Sequence, residues 1–124
     1  MVRFSNEPIE PGQVFNLINT DTAGSVLFHF AVVKSHGVKA GITHHIEYRA
    51  CGDVEENLRQ IATKLREKWQ LTDVLLLRRQ GIVAAGEIAS LVAVSAPGSE
   101  AAFSACRHGL ARLKKMPTIC KTEH

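Results

Sequence analysis

Residues 11–19 set Val14, Phe15, Leu17 and Ile18 close together and predict a short helix. Gly24 then opens Ser25-Val-Leu-Phe-His-Phe-Ala-Val-Val-Lys34, apolar and aromatic almost throughout, which reads as a buried strand. Ser35-His36-Gly37 breaks it. From Gly41 the pattern changes. Ile42, His44, Ile46 and Tyr48 alternate with Thr43, His45, Glu47 and Arg49, the two-residue period of a half-buried strand. An antiparallel hairpin between these two strands is expected.

Asp53 followed by Glu56 resembles a capping box, and Val54, Leu58, Ile61, Leu65 and Trp69 recur at helical spacing, predicting a helix over 52–70. A short strand is expected at 74–77, a loop at 81–86, a second strand at 88–95 and a turn at Pro97-Gly98. Ser99 is placed to cap a last helix that runs to about 115 and is stopped by Pro117. Strand pairs alternating with helices predict an α+β fold, an antiparallel or mixed sheet with helices packed on it, in one domain over 1–124.

Composition agrees with that picture. The 124 residues, 45% hydrophobic and 22% charged, suit one globular domain and exclude a disordered or collagen-like chain. No apolar run approaches the roughly 18 residues of a membrane span, and the first residues carry no apolar signal core, so neither membrane insertion nor secretion is expected. Cys51, Cys106 and Cys120 are odd in number and lack a Cys-x-x-Cys, so a disulfide framework is not expected and a reducing cytoplasm is.

The formal net charge is +3, but it is unevenly spread. Arg107, Arg112, Lys114, Lys115 and Lys121, with His108, fall in a segment without an acid. Such a segment is either a solvated helix face or a site for an anion. On a helical projection Phe103, Cys106, Leu110 and Leu113 form the expected core stripe, and Arg112, His108 and Lys115 point to water. Lys114 lies at the stripe's edge and is expected to be partly buried, either as a lysine of lowered pKa or as one that merely snorkels. Lys121 lies past the proline, where periodicity does not place it.

Other motifs fail. Gly81-x-x-x-x-Gly86 is followed by Glu87, where a phosphate loop needs Lys then Ser or Thr. The histidines have no zinc-ligand spacing, so no metal is expected. His29, within a strand, reads as a core or interface residue. No Gly-x-Ser-x-Gly elbow is present. The basic C-terminal segment has no interleaved aromatics, which argues against nucleic acid; a small phosphoanion- or RNA-binding domain is the weakest reading.

Three pieces together resemble one family. Gly24 to His36 resembles its N-terminal strand. Arg79-x-Gly81, Gly86-Glu87, Val94-Ser95-Ala96 and Ala102-Phe103 resemble its central block. Leu113-Lys114, with Lys121-x-Glu123 beginning seven residues after that lysine, resembles its C-terminal catalytic segment. The family is the large, catalytic subunit of molybdopterin synthase, and the resemblance covers about residues 10 to 123. It implies an α/β-hammerhead-like fold, a homodimer, and a heterotetramer with two copies of a small ubiquitin-like sulfur-carrier subunit. It implies transfer of sulfur from that subunit's C-terminal thiocarboxylate to cyclic pyranopterin monophosphate, giving molybdopterin without a resident cofactor.

By the same resemblance, the two active-site lysines fall on Lys114 and Lys121. Lys121 is assigned as general acid/base and Lys114 as tail contact or nucleophile. The substrate-binding set falls on Lys34, His36, Arg107, Thr122 and Glu123. The sequence departs from the family at Pro97-Gly98, where a His-Arg pair is usual, at Ala31 for a glycine, and at Lys34 for an arginine. Two readings therefore stand side by side: a working sulfurtransferase, or a catalytically impaired paralogue that serves as a dimeric scaffold for the small subunit.

Overall fold

The computed structural model describes residues 1–35 and 44–124. In chain order the elements are β1 (Val2–Ser5), α1 (Pro11–Val14) continued by one 3-10 turn (Phe15–Leu17), β2 (Ser25–Val32), β3 (His45–Ala50), α2 (Val54–Lys68), β4 (Asp73–Arg79), β5 (Gly81–Ala84), β6 (Ile88–Ala96), α3 (Ser99–Lys114) and β7 (Ile119–Glu123). They form a four-stranded sheet, β1-β4-β6-β2, and a three-stranded sheet, β5-β3-β7. Among the described residues only the β1–β4 pairing is parallel. The α+β class with mixed sheet and packed helices is the one expected from sequence.

β4 and β6 are central strands, and strict alternation gives each two buried faces. Val74, Leu76, Val92 and Val94 meet Leu58, Leu65, Ala105 and Leu113 of α2 and α3. Leu75, Leu77, Leu91 and Ala93 meet Val14 and Ile18 on the other side. Each fully buried leucine contributes on the order of 1.5–3 kcal/mol over its exposed state. A third cluster, Val33, Ile46, Tyr48, Val83 and Ala89, welds the small sheet to the large one.

Among the described residues β2 and β3 do not pair as the expected hairpin. β2 pairs with β6, and β3 lies between β5 and β7. Alternation fixes which face of a strand is buried but says nothing of its partner. β2 is also an edge strand, half-buried rather than buried along most of its length. The part of the predicted second strand before residue 44 lies outside the described residues, as does His36.

The segment expected as the loop 81–86 is β5 with a turn at each end. Gly81 (φ +88°) and Gly86 (φ +91°) hold left-handed conformations there that a side chain disfavours. β1 and β7 were not legible, being short and without an extended alternating pattern.

Asp53 caps α2 as expected, its carboxylate accepting from the Glu56 amide at 3.1 Å. α3 is capped at Gly98 rather than Ser99, with no side-chain cap. Its core stripe is Ala102, Ala105, Cys106, Gly109 and Leu113, and Phe103 is 58% exposed. A Cβ on Gly109 would stand 3.2 Å from both Leu65 Cδ1 and Val92 Cγ1, so small residues set how closely α3 approaches its neighbours. The expectation of no disulfide is also corrected. Cys51, just past β3, is bonded to Cys120 of β7, their Cα atoms 6.0 Å apart and 69 residues apart in sequence. β3–β7 pairing creates this proximity, and no local Cys spacing could announce it. Cys106 is a buried free thiol whose pKa burial pushes up, which makes it a poor nucleophile.

Candidate functional site

Where the two sheets diverge, beside the C-terminal end of α3, they leave a cavity of about 740 Å³. Its basic walls come from four elements. Lys34 follows β2, Arg78 ends the α-helical face of β4, Lys114 is the last residue of α3, and Lys121 lies in β7. His29, Tyr48, Ser90 and Glu123 complete the polar lining.

The register of β7 on β3 explains why Lys121 and Glu123 point inward together. Tyr48 is opposite Lys121 and Ile46 is opposite Glu123, so Ile46, Tyr48, Ile119, Lys121 and Glu123 share one face. Thr122 therefore faces away. Its hydroxyl accepts from Arg49 Nη1 at 3.0 Å on the outer face. Of the residues assigned by resemblance, Lys34, Lys114, Lys121 and Glu123 line the cavity. Thr122 and Arg107 do not, and Arg107 is exposed on α3.

Lys114 is exposed on the rim rather than partly buried, at the last residue of α3. His108 is not simply in water either: its ring stands edge-on to Trp69, centroids 5.5 Å apart.

Arg78, Tyr48, His29 and Ser90 are site residues that the resemblance did not assign. Arg78 carried a weak signal, since Arg78-Arg79 ends an otherwise apolar strand. Its Nη1 donates to the Leu113 carbonyl at 2.8 Å, and its guanidinium carbon lies 5.3 Å from the centre of the Tyr48 ring. Burial lowers the Arg78 pKa, partly countered by Tyr48, without threatening its charge. Burial raises the Tyr48 pKa; Arg78 opposes this and Glu123 adds to it, so the phenol stays neutral at physiological pH. Arg79, by contrast, points to the other side of the strand and lies 3.9 Å from Glu87.

Gathered cations in a partly enclosed, low-dielectric space favour an anionic ligand, and an amine among them can move a proton or attack an acyl carbon. Among the described residues no cluster of His, Cys, Asp or Glu is arranged to hold a metal ion. No helix of the described residues is long and apolar enough to cross a membrane.

Comparison with known proteins gives a consistent result. The family described as MoaE protein matches residues 4–116. A Staphylococcus epidermidis protein named molybdopterin synthase catalytic subunit is 32% identical over 120 residues, which cover 94% of this chain and 78% of the relative. A Staphylococcus aureus protein of the same name is also 32% identical, with 94% and 79% covered. The crystal structure of molybdopterin synthase from S. aureus superposes with a TM-score of 0.88 at 30% identity, covering 98% of this chain and 88% of that one. A complex of subunits 1 and 2 of molybdopterin-converting factor from Helicobacter pylori shares the fold, with a TM-score of 0.76 at 9% identity, covering 98% and 83%.

Proposed function

The chain belongs to the MoaE family, and from that premise we propose that it is the catalytic, large subunit of a molybdopterin synthase. It takes sulfur from the thiocarboxylated C-terminus of a small ubiquitin-like subunit and passes it to cyclic pyranopterin monophosphate, forming molybdopterin in molybdenum cofactor biosynthesis. The observation that carries this reading is the convergence of Lys34, Lys114 and Lys121 on one cavity from three separate parts of the chain.

Both reactants are anionic, one through its phosphate and the other through its thiocarboxylate. Bringing them together costs Coulomb energy, and fixed cations in a space of reduced dielectric offset that cost without reorganising. Lys121, on a paired strand and opposite Tyr48, is held in a fixed place and serves as the general acid/base. Lys114, on the exposed rim, is placed to meet the incoming tail as a contact or as a nucleophile. Lys34 takes part in binding the precursor, as a point charge rather than a two-pronged donor. Glu123 lines the same wall. His36, Arg107 and Thr122 complete the substrate-binding set carried over by resemblance, with Arg107 and Thr122 outside this cavity.

The active assembly in this reading is a homodimer within a heterotetramer carrying two small subunits. It works in the cytoplasm, where a reduced sulfur donor persists. There the Cys51–Cys120 bond meets thiol reductants.

One observation favours a second reading. The turn before α3 carries Pro97-Gly98, with no charge where the family usually presents a His-Arg pair. A scaffold that docks the small subunit without chemistry would have this feature. Single-turnover assay with thiocarboxylated small subunit and precursor decides. Molybdopterin formed at a rate that drops in Lys121→Ala supports the synthase; retained docking without product supports the scaffold.

A further inference from the structure

Among the residues that line the cavity, Arg78 carries the sole guanidinium. It sits on β4, where Val74, Leu76 and Arg78 alternate toward the helices, at the point where α3 runs out. Nη1 is committed to the Leu113 carbonyl, the residue before Lys114. The planar group lies over Tyr48, the register partner of Lys121. Arg78 thus touches the neighbours of both lysines. Among the described residues no carboxylate lies within ion-pair distance of it, and its Nε is buried without a hydrogen-bond partner.

A largely buried cation with neither counter-ion nor full hydrogen bonding is costly and is matched in most folds by an anion. Here the charge is held in place by a carbonyl on one side and a ring face on the other, and the space in front of it is the cavity. Guanidinium offers parallel donors to a two-acceptor anion, which the lysines cannot do. We propose that Arg78 is the oxyanion-binding residue of this site: the N–H groups of its two terminal nitrogens that the Leu113 carbonyl leaves free take a delocalised anionic group of a reactant. Two reactants carry such a group, the pterin precursor as a phosphate and the donor tail as a thiocarboxylate. This inference rests on the synthase reading for the identity of the anion, but not for its charge or shape.

The test uses full-length Arg78→Lys and Arg78→Ala. Binding of cyclic pyranopterin monophosphate and of the small subunit bearing its C-terminal carboxylate is measured separately, with a tail-truncated small subunit as control. Arg78→Lys, which keeps a charge able to reach the Leu113 carbonyl, should melt near the parent yet bind one anion at least about tenfold more weakly. Arg78→Ala should lose more, and millimolar methylguanidinium should restore part of it. Loss confined to the precursor identifies the phosphate; loss confined to the tailed small subunit identifies the thiocarboxylate. Unchanged affinity for both, with only a lower melting temperature, would overturn the proposal and leave Arg78 as a structural tie. Should the parent protein bind the precursor through Arg78 but form no molybdopterin, the synthase reading fails while this one stands. Should molybdopterin form equally well in Arg78→Lys with both affinities intact, the reverse holds.

Discussion

Tyr48 and Lys121 are register partners across the β3–β7 ladder, one nearly buried and the other exposed on the same face. The tyrosine ring also lies beneath the guanidinium of Arg78. A strand that the sequence left unplaced thus delivers the central amine of the site.

Lys121→Ala should lower single-turnover sulfur transfer by about 10²–10⁴-fold, the usual contribution of a positioned acid/base. Lys114→Ala should also slow it. Both side chains are exposed, so chemical denaturation should find stability within about 0.5 kcal/mol of the parent. Full turnover in both variants would sink the assignment.

Tyr48 packs with Val33, Ile46, Val83 and Ala89 and is 7% exposed. Tyr48→Ala should cost about 3–5 kcal/mol in urea unfolding and release Arg78 from its ring. Tyr48→Phe keeps the ring and should cost less than about 1.5 kcal/mol. Equal losses in the two would show that the hydroxyl, not the packing, matters.

The Cys51–Cys120 bond closes a long loop, so Cys120→Ser should lower the stability of the oxidised protein by about 2–4 kcal/mol. With dithiothreitol present, parent and variant should melt together. A persistent gap under reducing conditions would locate the effect in packing instead.

Asp73 gives the fold an acid limit. Burial pushes its carboxyl up, but the Asn19 amide, Arg66 and the Val74 amide donate to it and outweigh burial, leaving the pKa below its ordinary 3.8. The unfolded chain therefore binds this proton more readily. The stabilisation is complete above the ordinary value and is lost as pH falls through the lower, folded value. Asp73→Asn should cost about 1–2 kcal/mol at neutral pH, and thermal melts should show the gap closing below about pH 4. A gap independent of pH would exclude this linkage.

α2 was legible because its apolar side chains recur at helical spacing, with Asp53 marking the start, and β6 because it is a continuous apolar run. Phe103 was misjudged because projection alone ranks side chains by size. The actual contact stripe on α3 is of small residues, which let the helix close on Leu65 and Val92. Gly81 to Gly86 looked like a loop because its glycines mark turns, yet two turns can enclose a four-residue strand. Lys34, Lys114, Lys121 and Glu123, assigned by resemblance, line the cavity; Arg78 and Tyr48 line it too and were not assigned, since neither stands out on its own strand.

The sequence alone determined what local rules govern: helix faces, the alternation of buried strands, turn glycines, the basic C-terminal segment and the family motifs. Tertiary structure decided strand partnership, and with it everything that depends on distance between remote residues. It set β2 beside β6 and β7 beside β3, joined Cys51 to Cys120, turned Thr122 outward and Lys121 inward, and laid Arg78 over Tyr48. The physical reason is that a strand's period encodes which face is buried but not which edge it joins. The choice of edge is settled by the shared core, where Val33, Ile46, Tyr48 and Val83 bury one another across the two sheets.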